Sequence, residues 1–407
     1  MGKSVKKFLA GMLRQEKICL QTHPPVVESL GSKVPIEFQT MKGVRMRKAL
    51  LIALIISVIA LVPALAGSGP GEKAGAKGKA VVIGHVPITL SHAVHGNAAK
   101  WAKIYAKEKY NADFVVIDPD NDLQRQIKAV EDMIAKGVTG IVLSAVVESG
   151  VNEVIQEARK AGIYVVTYII DGTDQKTPFV RINEIQATTK LGVNTTKKWK
   201  ELYPNIPVKI GFVDFLKMEY TKINRSGPFL KGAQSVDPSI KEPVFQLGAE
   251  GVQDEAKKIG QAVLQSHPEV NIVYGTNTPN AIGALTAFEE AGRGKAKDGV
   301  PLTEIFIGTD GDVPELLKLA DPTSSFKYTQ GMQPQIFAYA YIDTMMKVIK
   351  GEIDPDKHSE VNAYNLYMDY YSMSVKDYEN WFNTQYMPAN KLDIAAELAK
   401  KGIKVQK

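Results

Sequence analysis

Polar side chains recur just beyond short, apolar, β-rich runs. Ser91, His92 and His95 follow AVVIGHV (80–86), and Tyr168 and Asp171 close IYVVTYI (163–169). Tyr220, Asn224 and Arg225 come after VKIGFVDF (208–215), which itself holds Asp214. Asn277 follows NIVYGT (271–276), Asp310 follows EIFIGT (304–309), and Gln330 ends SFKYTQ (325–330). A carboxylate can accept two hydroxyls at once, and an amide donates as well as accepts, so the set suits recognition of a polar solute. Bond-breaking chemistry has less support. The sequence holds no G-x-x-x-x-G-K-[ST] loop, no dinucleotide fingerprint after its first strand, no G-x-S-x-G elbow and no H-E-x-x-H helix. The single cysteine, Cys19, lies near the start, which leaves the rest without thiol catalysis or thiolate metal sites. Neither a catalytic residue, a metal nor a cofactor is expected.

Each candidate has a plainer alternative. His92 and His95 are three apart and with Asp171 could hold a metal, but capping a helix or neutral hydrogen bonding is the preferred role. Asp310 precedes Gly311, Asp312 and a helical run, so capping competes with ligand contact. Pro279 suits the first helical turn, which leaves Asn277 to point its amide outward. Arg225 is either a clamp on a ligand or a solvated charge on a helix face. Tyr168, Phe215 and Tyr220 are stacking walls or simple packing.

The elements that position these residues alternate regularly. Between the β-rich runs lie helical periods such as Val94, Ala98, Trp101 and Tyr105, or Leu123, Ile127, Val130 and Ile134. Strands apolar on both faces, separated by amphipathic helices, predict parallel sheets covered on both sides. The rhythm runs once from Ala80 and again from Val208, giving two successive α/β units. The expected organisation is a first lobe over 80–182 plus about 331–352, and a second over 183–330. Residues 353–407, rich in aromatics without a clean period, are expected to form an extension across the lobes. In open parallel sheets a ligand lies beyond the carboxyl ends of the strands, where the polar residues cluster.

Residues 42–66, MKGVRMRKALLIALIISVIALVPALA with its lead-in, place a basic front before an apolar run and end in Ala64-Leu65-Ala66. That pattern predicts an export signal in a targeting region of residues 1–66, with cleavage preferred over an uncleaved 49–66 membrane anchor. The Gly/Ala/Lys stretch over 67–79 reads as a flexible leader. Residues 1–66 hold ten of the 50 Lys/Arg but three of the 44 Asp/Glu, so the net charge of +6 belongs to this region. The remainder is near neutral and carries no electrostatic footprint for nucleic acid.

The order of elements, with VVIGHVPIT, HPEVNIVYGTNTPNAIGALTAFEEAG, IFIGTDG and YTQGMQPQIFAYAYI, resembles the type I periplasmic binding proteins of the ribose and galactose class. The resemblance spans residues 80–352. It implies two Rossmann-like lobes with parallel sheets joined by a multi-strand hinge. It also implies a monomeric receptor that captures a sugar-like solute between the lobes and delivers it to an ABC permease. By this resemblance the ligand-binding Asn falls on Asn277, the cleft Asp on Asp310 and the hinge-side Gln on Gln330. The first lobe departs from the pattern: SHAVHGN, with His95 and Gly96, stands where ribose receptors carry a phenylalanine pair, and TYIIDG replaces an Asp-Arg pair. Asn224 or Arg225 stands nearest the cleft arginine. Two other functions remain open: a sensory receptor for a sugar-like signal, and a hydrolase or isomerase working through Asp171, Asp214 and Asp310.

Overall fold

A computed structural model describes residues 80–389 and 391–405; the expected targeting region and leader, residues 1–79, lie outside the described residues. Five strands open the chain: β1 (Val82–Val86), β2 (Asp113–Val116), β3 (Gly140–Leu143), β4 (Tyr164–Tyr168) and β5 (Pro178–Asn183). Helices α1 (Ala93–Tyr110), α2 (Leu123–Lys136) and α3 (Asn152–Lys160) separate the first four. After α4 (Ile185–Leu202) the second unit begins with β6 (Ile210–Asp214). A short helical turn and the π-helical turn Lys222–Ser226 then lead into α5 (Gly227–Val236). There follow β7 (Phe245–Gly248), α6 (Gln253–Ser266), β8 (Ile272–Gly275) and α7 (Thr278–Glu290). A small hairpin, β9 (Ala296–Lys297) and β10 (Val300–Pro301), precedes β11 (Ile305–Asp310), α8 (Val313–Ala320) and β12 (Phe326–Gly331). The chain finishes with α9 (Pro334–Ile349), β13 (Ser359–Tyr364), β14 (Leu366–Asp369), α10 (Val375–Trp381), the π-helical turn Phe382–Tyr386 and α11 (Ile394–Lys400).

Two six-stranded sheets result, ordered β13-β5-β4-β3-β1-β2 and β14-β12-β11-β8-β6-β7. Every pairing in the first is parallel, and in the second only β14 runs antiparallel, against β12. Residues such as Ile83, Ile141, Val142, Val165 and Val166 are buried, as expected of strands covered on both faces.

The aromatic stretch after Gly351 is more ordered than its sequence pattern suggests. It supplies β13 to the first sheet and β14 to the second, with Asn365 alone between them. β5, also absent from the β-rich runs singled out in the sequence, pairs with β4 only through Thr167–Phe179 and Tyr168–Val180 and then continues beyond it. β5–α4, β12–α9 and β13–β14 are therefore the three passages between the sheets. Gln333, in the second passage, donates from Nε2 to the Tyr364 carbonyl beside the third at 2.6 Å.

Helices α4 and α5 cross very closely in the second unit. A Cβ built on Gly192 would stand 2.1 Å from the Phe229 carbonyl oxygen, and one on Gly232 would stand 2.3 Å from that of Thr189. Glycine at both positions lets the two backbones touch. In the first unit, buried Gln126 donates from Nε2 to the Pro87 and Ser144 carbonyls at 3.2 and 2.8 Å and accepts from the Val146 N–H at 2.8 Å. One amide thus fixes the exits of β1 and β3, where the polar loops begin.

Candidate functional site

The strand exits of the two sheets meet through an ion pair: His92 Nε2 lies 3.3 Å from Asp310 Oδ2. His92 occupies the position before α1, but its side chain does not cap that helix. Burial opposes its protonation, yet the charges of Asp310 and Asp312 outweigh this and raise its pKa above the usual 6.5. Asp310 is buried and adopts φ +119°, a conformation that costs a non-glycine residue on the order of 1–3 kcal/mol. It does not cap α8; that role falls to Asp312, whose carboxylate accepts from the Val313 N–H at 2.7 Å. Instead Asp310 Oδ2 accepts from the Thr278 N–H at the start of α7, at 3.1 Å, and Oδ1 has no partner.

His95 and Tyr168 form a second layer. The buried Tyr168 hydroxyl lies 2.9 Å from His85 Nε2 and 3.2 Å from His95 Nδ1. Burial lowers the pKa of His85 to about 3 and, with its charged neighbours, that of His95 well below normal, so both rings stay neutral. One phenol proton serves two ring nitrogens, so the tautomers are linked. At most one of the two nitrogens can accept the phenol proton, so at least one of the two histidines donates to Tyr168. Tyr168 is a support for His95, its ring packed 4.9 Å from Tyr341, and not a stacking wall.

On the second unit, the π-helical turn Lys222–Ser226 holds Asn224 and Arg225, both buried; π-turns of this kind often mark functional sites. Arg225 is no solvated surface charge. Its Nε and Nη2 donate to the two oxygens of Glu184 at 2.6 and 3.0 Å, and Nη1 donates to the Thr276 carbonyl at 2.6 Å. Tyr220 donates to Glu184 at 3.1 Å and lies under the guanidinium, 5.8 Å from its centre. Asn224 donates to the Tyr220 carbonyl at 2.9 Å, while its Oδ1 is buried and unpartnered. Asn277 is itself the cap of α7: its Oδ1 accepts from the Asn280 N–H at 2.9 Å, which fixes the amide and leaves its nitrogen and one lone pair of Oδ1 for other contacts. Gln330 accepts from Thr188 Oγ1 at 3.0 Å and leaves Nε2 buried without a partner.

Asp171 keeps different company. Its Oδ1 accepts from Thr167, Thr177 and the Gly172 N–H, and Oδ2 lies 3.6 Å from His358 Nδ1. It shares no partner with His92 or His95, and no grouping of metal-ligating side chains occurs among the described residues.

Glu184 and His85 escaped the sequence reading. Glu184 leaves the β-rich stretch PFVRIN as the other candidates leave their strands, which is the signal available for it. His85 sits inside β1, where only the structure shows which face it takes.

A family of known proteins matches this chain, described as periplasmic binding protein domain, over residues 83–353. The galactofuranose-binding protein YtfQ of Escherichia coli (strain K12) is 25% identical over 287 residues, covering 67% of this chain and 85% of its own. The ribose import binding protein RbsB of Bacillus subtilis (strain 168) is 21% identical, covering 75% and 95%. Among solved structures, a Mycobacterium smegmatis protein in complex with β-D-fucofuranose superposes with TM-score 0.62 at 22% identity, over 73% of this chain and 93% of its own. The arabinose transporter binding protein of Shewanella sp. ANA-3, bound to L-arabinofuranose, gives 0.61 at 20% identity, over 74% and 95%. With two largely parallel sheets, three passages between them and a family match across most of both, the chain belongs to the periplasmic binding protein family.

Proposed function

We propose that this protein is an extracytoplasmic receptor that holds a small polyhydroxylated solute, a sugar or polyol, between its two lobes and hands it to an ABC importer. One observation carries the reading. At the facing strand exits, His92 Nδ1, Asp310 Oδ1, Asn224 Oδ1 and Gln330 Nε2 are all buried and unpartnered. Buried polar atoms are costly unless matched, and a solute bearing several hydroxyls can match acceptors and donors together. The ligand set is Asp310, Gln330, Asn224, Asn277, His92 and His95. Arg225, Tyr220 and Tyr168 hold these in place. The two lobes are residues 80–183 with 334–364, and residues 184–331 with 366–369.

Aldoses in their furanose form lead the candidates, because one relative is named a galactofuranose-binding protein and a solved structure of the same fold holds L-arabinofuranose. Binding breaks no bond, so the reading needs no nucleophile or general acid. The family match and the basic, then apolar, segment 42–66 support a place outside the cytoplasm.

The test is calorimetric titration with D-ribose, L-arabinose and D-galactose, together with mass spectrometry of molecules released on denaturation. One sugar should bind, and Asp310→Asn should weaken it at least ~10-fold, the usual weight of a hydrogen bond to a charged group. A protein that releases nothing and binds none of the panel would sink the reading.

A further inference from the structure

The segment after β14 brings a second π-helical turn, Phe382–Tyr386, to the same strand exits. The edge of the Trp381 ring rests on the backbone that carries Asp310 and Gln330. A Cβ built on Gly311 would stand 2.8 Å from Trp381 Cη2, and one on Gly331 would stand 2.9 Å from Cζ2. Tyr386 stacks on Phe382 with ring centres 4.9 Å apart and lies 5.2 Å from Trp381. Its carbonyl accepts from Trp101 Nε1, on α1, at 3.4 Å. The turn thus touches both lobes where they face each other.

Two buried donors on this segment have no acceptor: Trp381 Nε1 and the Tyr386 hydroxyl. One buried acceptor at the same end of the second sheet has no donor, Asp310 Oδ1; Glu315 Oε1 is also buried without a partner, on a carboxyl whose pKa burial pushes well above normal. Glu315 is otherwise tied down, its Oε2 accepting from the Gly311 N–H at 2.9 Å and from Thr329 Oγ1 at 2.5 Å. The phenol of Tyr386 senses these carboxylates: burial first, then Asp312, Asp310 and Glu315, push its pKa well above normal. Donors without acceptors beside an acceptor without a donor call for a group that does both, and a hydroxyl is such a group.

We infer that Trp381 and Tyr386 belong to the solute site, donating from the indole N–H and the phenol O–H to hydroxyls of the solute that Asp310 also holds. This rests on the sugar-receptor reading and deepens it. Aromatic residues thus reach the site from the segment after β14, beside the histidines of the first lobe. Solute selection is therefore shared between the strand exits and the C-terminal segment.

The experiment is titration of the full chain with the sugar that binds best among D-ribose, L-arabinose and D-galactose, for Tyr386→Phe, Trp381→Phe and Asp310→Asn. Tyr386→Phe should lose about 10-fold in affinity. Its solute-free melting temperature should hold or rise, because the variant removes a buried hydroxyl that the free protein leaves unmatched. A supporting role alone would move these two readouts together or move neither. Unchanged affinity in Tyr386→Phe, with binding abolished in Asp310→Asn, overturns this inference and leaves the receptor reading standing. Affinity that ignores all three substitutions, or a chain that binds no sugar of the panel, overturns both. Should Trp381→Phe fail to fold, Tyr386→Phe decides.

Discussion

Asp310 combines a strained backbone, an unmatched oxygen and an ion pair to the opposite lobe. Strain of this kind persists only where the surroundings over-determine it, here through the Thr278 N–H and the Met332 N–H, which donates to the Asp310 carbonyl at 3.0 Å. His92 makes the pair sensitive to pH. Facing it are Asp310 and Asp312, which favour its charge, and Arg225, which opposes it; His95 beside it stays neutral. Its folded pKa lies above 6.5, so the stabilisation from its proton is complete below 6.5 and is lost as pH rises through the raised folded value. Melting curves of the solute-free protein between about pH 5.5 and 8.5 should show this loss, and His92→Gln should flatten it. Identical slopes for the two proteins would show that the pair contributes nothing.

At the scale of elements, the first passage between sheets ends on Glu184, which Arg225 and Tyr220 of the second unit grip from the π-helical turn. Removing one partner leaves the other as an uncompensated buried charge, so Arg225→Met should cost about 3–5 kcal/mol in chemical denaturation. Glu184→Gln with Arg225→Met together should recover much of it, since neither charge then remains. The α4–α5 crossing is equally unforgiving: Gly192→Ala should lose about 1–3 kcal/mol, because the Phe229 carbonyl blocks its new methyl group. The alternation of apolar strands and helical periods made the two-sheet architecture legible, and residues beyond strand ends led to Asp310, His92 and Gln330. Side-chain partners and edge strands were less legible. Arg225 reads as a ligand clamp or a solvated charge, and not as an ion-pair partner, because Glu184 is 41 residues away in sequence. Tyr168 sits at a strand exit like the others, and only side-chain direction separates a support from a wall. β13 alternates polar and apolar residues as an edge strand does, a weaker pattern than that of a buried strand.

At the scale of the whole molecule, three adjacent passages leave the lobes one principal way to move relative to each other, and a solute contacting both favours the closed form by its differential affinity. Small-angle scattering should therefore show a smaller radius of gyration with saturating sugar than without it; equal values would mean that binding does not draw on closure. The passages carry a further consequence, in the order of synthesis. The first sheet gains β13 only when residues 359–364 arrive, and the second gains β14 only with residues 366–369. Until then β5 and β12 each present an open edge, although most of the chain already exists. Contacts spanning such sequence separations form slowly. Both sheets thus receive their closing edge strand from one stretch of eleven residues, 359–369, so a chain cut before it would leave an edge open in each lobe at once.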